Sequence, residues 1–138
     1  MAHVVLAEDN PITALVLRIR LARAGHTVTV VEHRDMVATA VQVYPPDLIL
    51  LHAWLPDPDS LAVAQQLKAD PQARAIPIVM LTDQTDPQWL HAVRSGGADA
   101  VVTTLLDHDA LIQVIDMLLA RAPARFPADR GQQIRSSA

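Results

Sequence analysis

At 138 residues, with 51% hydrophobic residues and a net charge of −4 when the histidines are neutral, the chain has the size and composition of one domain with a full core, not of a disordered polymer. Its eleven basic residues are scattered and include a single lysine, Lys68, so the basic field of a general nucleic-acid binder is missing. Cysteine is absent, which excludes disulfides and thiolate metal sites. No apolar run approaches the roughly 20 residues that span a bilayer, and the N-terminus lacks a basic segment leading into an apolar stretch, so a cytoplasmic location is expected.

Strand and helix patterns alternate five times. His3 to Ala7 is a short β-branched and aliphatic run, the pattern of a buried strand. Asp9, Asn10 and Pro11 then open a helix, with Leu15, Ile19 and Ala22 at core spacing and Gly25 as its C-terminal cap. Thr27 to Val31 is a second strand. Asp35 to Val43 is helical, with Met36, Val37, Ala40 and Val41 on one stripe, and Pro45 and Pro46 break it. Asp47 to Leu51 holds four consecutive aliphatics, the mark of a strand buried on both faces.

A loop punctuated by Pro56 and Pro58 leads to a third helix, Ser60 to Ala69. Ile76 to Leu81 is the fourth strand, with Pro77 at its start. Asp86 and Pro87 open a fourth helix that carries Leu90 and Val93 and stops at Gly96 and Gly97. Ala100 to Thr103 is the fifth strand. Asp107 to Ala120 is the last helix, with Leu111, Val114, Ile115, Leu118 and Leu119 as its core stripe. The domain is expected over 1–121, followed by a disordered tail over 122–138 in which Pro, Arg, Ser and Gln dominate.

Five βα units with right-handed crossovers imply an α/β doubly wound fold with a parallel sheet and helices on both faces. The flavodoxin-like strand order 2-1-3-4-5 is the common five-stranded solution, with a switch point between the first and third strands. Ligands and chemistry gather there, beyond the carboxyl ends of the strands. The candidate site is therefore Glu8 and Asp9 after the first strand and His52 after the third, with Thr82 ending the fourth and Thr104 following the fifth.

These are the residues by which the chain resembles a receiver domain of two-component systems. Leu6-Ala7-Glu8-Asp9-Asn10 resembles the family's acidic pair, and Pro46-Asp47-Leu48-Ile49-Leu50-Leu51 the approach to its phosphoacceptor. Leu55-Pro56-Asp57 resembles the loop beyond, Ile76-Pro77-Ile78-Val79-Met80-Leu81-Thr82 the fourth strand with its switch threonine, and Gly97-Ala98-Asp99 the turn into the fifth. The resemblance covers roughly Ala2 to Ala120. It also has departures. The family carries its phosphate-accepting aspartate where this chain has His52, a lysine followed by proline where it has Thr104 and Leu105, and an aromatic residue where it has Val101.

The resemblance implies a Mg²⁺ held by the acidic pair, the acceptor carboxylate and a loop carbonyl, here Trp54. Magnesium prefers hard oxygen ligands in octahedral geometry. An imidazole at position 52 supplies neither the attacking carboxylate nor that metal ligand, and loss of the lysine removes a cation that balances phosphoryl charge. Mg²⁺ binding is therefore expected to be weak or lost, no other cofactor is expected, and no catalytic set is complete, so the domain is not read as an enzyme. Two states of His52 stand side by side: an imidazolium paired with the acids, its pKa raised by opposite charge, or a neutral ring bonded to a backbone carbonyl. Phosphohistidine at His52 and a substitute acceptor at Asp57 or Asp59 are weaker readings.

The leading expectation is a pseudo-receiver acting as a phosphorylation-independent protein–protein interaction module. One rival is a single-domain regulator phosphorylated by an unusual route; the other is a metal- or small-ligand-binding domain using Glu8, Asp9 and His52. No DNA-binding or enzymatic segment is recognisable after the five units, so output is expected through protein contact, with no nucleic acid and no membrane. In receivers the face built by the fourth helix, fifth strand and fifth helix docks partners, so Trp89, Val101, Ile112 and Met117 are interface candidates, for a signalling partner or a homodimer. His108 between Asp107 and Asp109 is read as part of a helix start rather than a metal dyad. His3, His26, His33 and His91 are read as isolated surface or satisfied residues.

Overall fold

A computed structural model of the chain describes residues 2–53, 58–82, 86–103 and 108–121. Five strands and five helices alternate: β1 (His3–Ala7), α1 (Pro11–Arg23), β2 (Thr27–Val31), α2 (Val37–Val43), β3 (Leu48–Ala53), α3 (Pro58–Ala69), β4 (Ile78–Thr82), α4 (Pro87–Ser95), β5 (Ala100–Val102) and α5 (His108–Arg121). All pairings are parallel and the order is β2-β1-β3-β4-β5. This is the expected flavodoxin-like arrangement.

The sheet separates two core layers because side chains alternate between faces along each strand. Val5, Ala7, Ile49, Leu51, Ile78 and Met80 pack on one side with α2, α3 and α4 residues such as Val41, Leu67 and Val93. Val4, Leu6, Leu48, Leu50, Val79 and Leu81 pack on the other with Leu17 and Leu21 of α1 and Leu111 and Ile115 of α5. The central β3 run Leu48 to Leu51 is buried to within 1% on both faces. Each such aliphatic side chain is worth about 1.5–3 kcal/mol of burial.

Local chemistry sets the helix starts. Asn10 Oδ1 accepts the amides of Ile12 and Thr13 at 2.9 and 3.1 Å, with Pro11 in the first turn. Asp86 Oδ1 accepts the Gln88 amide at 3.1 Å and starts α4 in the same way. Gly25 follows the end of α1 at φ +93°, a left-handed conformation in which a Cβ is strained.

Four sequence expectations are corrected. In α1 the core face is Ala14, Leu17 and Leu21, whereas Leu15, Ile19 and Ala22 face solvent, because the helix is apolar on both sides and periodicity alone cannot choose between them. Arg34–Met36 forms a separate 3-10 turn before α2, so Met36 leaves the core stripe and is 51% exposed. The third strand runs on to Ala53, held by pairing of His52 with Leu81 and Ala53 with Thr82, so His52 lies within the strand rather than after it. The fourth begins at Ile78, since Pro77 has no amide to give the ladder, although its carbonyl accepts the Ile49 amide at 2.9 Å. The tail 122–138 lies outside the described residues.

Candidate functional site

β1 and β3 are neighbours in the sheet, paired up to Ala7 and Leu51, so the next residue of each strand emerges at the same carboxyl edge. Alternation sends Glu8 and His52 to the face already occupied by Leu6 and Leu50. There His52 Nδ1 meets Glu8 Oε2. Both side chains are shut off from water, at 1% and 0% exposure. The second carboxylate oxygen, Glu8 Oε1, accepts the Asn10 amide at 2.9 Å. Asn10 in turn caps α1, so one buried acid ties the histidine, the β1–α1 turn and the helix start together.

A charge removed from water at this depth is tolerable only with a partner and further hydrogen bonds. Glu8 has both, from the imidazole and the Asn10 amide. Asp9, expected beside the ring as well, is exposed and lies in a surface groove with Pro11, Leu15, Arg18 and Glu32. Thr82 is fully buried at the end of β4, opposite Ala53 and one register step beyond His52. Among the described residues no group of three His, Asp or Glu side chains is arranged to hold a metal ion. Trp54, Asp57, Thr104, Leu105 and Asp107 lie outside the described residues, as do the side chains of Asp59 and His108.

The four interface candidates fall in different places. Trp89 and Val101 are partly buried against the core layer of α2, α3 and α4, whereas Ile112 packs into the layer of α1 and α5. Met117 is 54% exposed.

The histidines read as surface or satisfied residues include two with distinct partners. His26 Nε2 meets Asp116 Oδ1 at 2.9 Å, pinning the start of β2 to α5. His3 Nε2 lies 2.7 Å from Thr29 Oγ1, and its ring stands 4.7 Å from that of Tyr44. Burial pushes the His3 imidazole below the usual histidine range, against the weaker upward pull of Asp47.

Sequence reasoning missed the work of Lys68. Its ammonium donates to the carbonyls of Arg74 and Ile76 at 3.2 and 3.1 Å and to Asp99 Oδ2 at 2.9 Å. The same Asp99 oxygen accepts the Ile78 amide at 2.8 Å, so the clamp fixes where β4 begins. Gly97, at φ +120°, lets the Lys68 stem pass, since a Cβ there would stand 2.5 Å from Lys68 Cγ. Being the only lysine was the sole sequence signal, and it points to no partner.

Comparisons with known proteins agree with this architecture. The family model for the response regulator receiver domain matches residues 4–116. Protein PilH of Pseudomonas aeruginosa is 31% identical over 124 residues, covering 87% of this chain and 99% of that one. The DNA-binding dual master transcriptional regulator RpaA of Synechocystis is 32% identical over 122 residues, 88% of this chain but 50% of RpaA. Among solved structures, the receiver domain of a signal transduction histidine kinase from Syntrophus aciditrophicus superposes with a TM-score of 0.81 at 25% identity, covering 91% of this chain and 96% of that one. Domains of this family pass signals to protein partners such as kinases and effectors and are in general not enzymes. A family match over most of the chain, a relative 31% identical along nearly its whole length and the shared strand order together establish that this chain belongs to the response regulator receiver domain family.

Proposed function

We propose that this receiver is a pseudo-receiver, in which His52 stands in place of the phosphate-accepting aspartate and the domain signals by protein contact without being phosphorylated. The observation that carries this reading is the buried contact between His52 and Glu8. It puts an imidazole where the family's chemistry needs a carboxylate, and it engages the acid that would otherwise face a metal.

The Mg²⁺ that the family implies does not fit the residues described here. One oxygen of Glu8 is taken by the Asn10 amide and the other by His52, while a nitrogen at position 52 is a poor ligand for a hard cation. The pair instead acts as an internal substitute for metal and phosphate, holding the β1–α1 turn and the end of β3 in one arrangement. Output then depends on which partner finds the surface. Among the described residues no helix is long and apolar enough to cross a membrane, and the partner in this reading is another signalling protein.

The test is phosphorylation in vitro. The protein is incubated with acetyl phosphate and Mg²⁺ beside a receiver that keeps its aspartate, and intact mass is read over time. The control gains a phosphoryl group and this chain gains none. A Mg²⁺-dependent adduct mapping to His52, Asp57 or Asp59 overturns the reading.

A further inference from the structure

Helix α1 is apolar on two opposite sides. Ala14, Leu17 and Leu21 are buried against the sheet. Ile12, Leu15, Val16 and Ile19 are 73%, 49%, 38% and 43% exposed. At about 100° per residue these four gather on the side facing away from the buried three. Scattered exposed aliphatics are ordinary. Four of them at i, i+3, i+4 and i+7 are the spacing of a helix–helix seam. Among the described residues the other large exposed hydrophobics, Met36, Val43, Tyr44 and Met117, lie outside α1 and do not extend this stripe.

Charge selects the occupant. α1 contains Arg18, Arg20 and Arg23 and no acid. Exposed Asp9 and Glu32 flank its N-terminal half, sharing a groove with Pro11, Leu15 and Arg18. The stripe is therefore acidic where it begins and basic where it ends. A second copy laid parallel on it would set arginine against arginine. Laid antiparallel about a twofold axis between Leu15 and Val16, it sets Ile12 of each copy against Ile19 of the other. It also brings Arg23 of each copy, at the far end of the stripe, toward Asp9 of the other. Such a patch is complementary to itself, as a twofold interface requires.

We infer that the exposed face of α1 is the interface of an antiparallel homodimer of this chain. The inference does not rest on the state of His52, and it places self-association away from α4, β5 and α5. The seam is one helix of 13 residues, roughly 20 Å long, so the interface is small and the dimer a weak one.

The experiment is sedimentation velocity of the full chain from micromolar to near-millimolar concentration, with the double variant Leu15→Glu/Ile19→Glu. Both side chains face solvent, so the variant keeps its circular dichroism. Four carboxylates placed in an apolar seam weaken self-association at least about 100-fold. Wild type that stays monomeric throughout overturns the inference, and so does a dimer that survives the double variant.

Cysteine cross-linking reads the orientation, because the native chain has no cysteine. Leu15→Cys lies next to the axis and oxidises to a covalent dimer. Ile12→Cys does not link to itself, but links to Ile19→Cys when the two are mixed. Self-linking of Ile12→Cys as fast as Leu15→Cys demonstrates a parallel pairing and removes the proposed geometry.

Discussion

The Glu8–His52 pair makes a quantitative prediction. Replacing His52 with leucine leaves the Glu8 carboxylate buried, without the imidazole and still accepting the Asn10 amide. Stripping one member from a buried pair costs about 3–5 kcal/mol, because the other charge remains out of water. Glu8→Leu takes the acid away from the buried imidazole. It also removes the acceptor for the Asn10 amide, worth about 0.5–1.5 kcal/mol more, and loosens the residue that caps α1. Glu8→Leu is therefore the more damaging single change. The double variant puts two leucines beside Leu6 and Leu50, in surroundings already apolar. It loses less than the sum of the two singles, with a coupling energy of about 2–3 kcal/mol. Urea unfolding followed by circular dichroism measures all four corners of the cycle, with unchanged m-values as the check that the unfolded state is comparable. Singles that each cost under about 1 kcal/mol, or a double equal to their sum within about 0.5 kcal/mol, refute the claim that the two residues form one buried unit.

His3 gives a pH prediction. Its folded-state pKa lies below the ordinary 6.5, so between that depressed value and 6.5 the unfolded chain binds more protons than the folded one. Its contribution is thus fully present above 6.5 and is lost as pH falls below it; His3→Gln should remove that part of the slope in a pH series of urea midpoints, and an unchanged slope contradicts the assignment. Gly97→Ala should destabilise by at least about 1 kcal/mol, because it forces a Cβ into a left-handed residue and against Lys68. Lys68→Met keeps most of the stem and removes three donations, so a loss of about 1–3 kcal/mol is expected in chemical denaturation, and none at all would show the clamp to be decorative. Calorimetric titration with Mg²⁺ and with Zn²⁺ should show no saturable binding below millimolar; saturation by either ion that disappears in Glu8→Gln would restore the metal-site reading of Glu8, Asp9 and His52.

The alternation of aliphatic runs, caps and glycine stops was enough to recover five βα units, because each rests on local rules: burial on both faces for Leu48 to Leu51, an Asn10 or Asp86 cap, a glycine after a helix end; the strand order followed from the common way five such units assemble. The meeting of Glu8 and His52 was legible one step later. Parallel pairing of the first and third strands brings their carboxyl ends together whatever the side chains are. Contacts between residues distant in sequence were not legible. Lys68 reaches Asp99 across 31 positions, and His26 reaches Asp116 across 90; no periodicity encodes either. Only the packed structure could choose which apolar face of α1 lies inward, since Leu15 and Leu17 are equally hydrophobic and the sheet's shape decides which of them it covers. The sequence by itself thus determined the chain's elements and the edge at which its polar residues collect. The tertiary structure alone decided which acid the histidine takes and which hydrophobic surface is left facing water, because both depend on volumes and distances that exist only once the layers have closed.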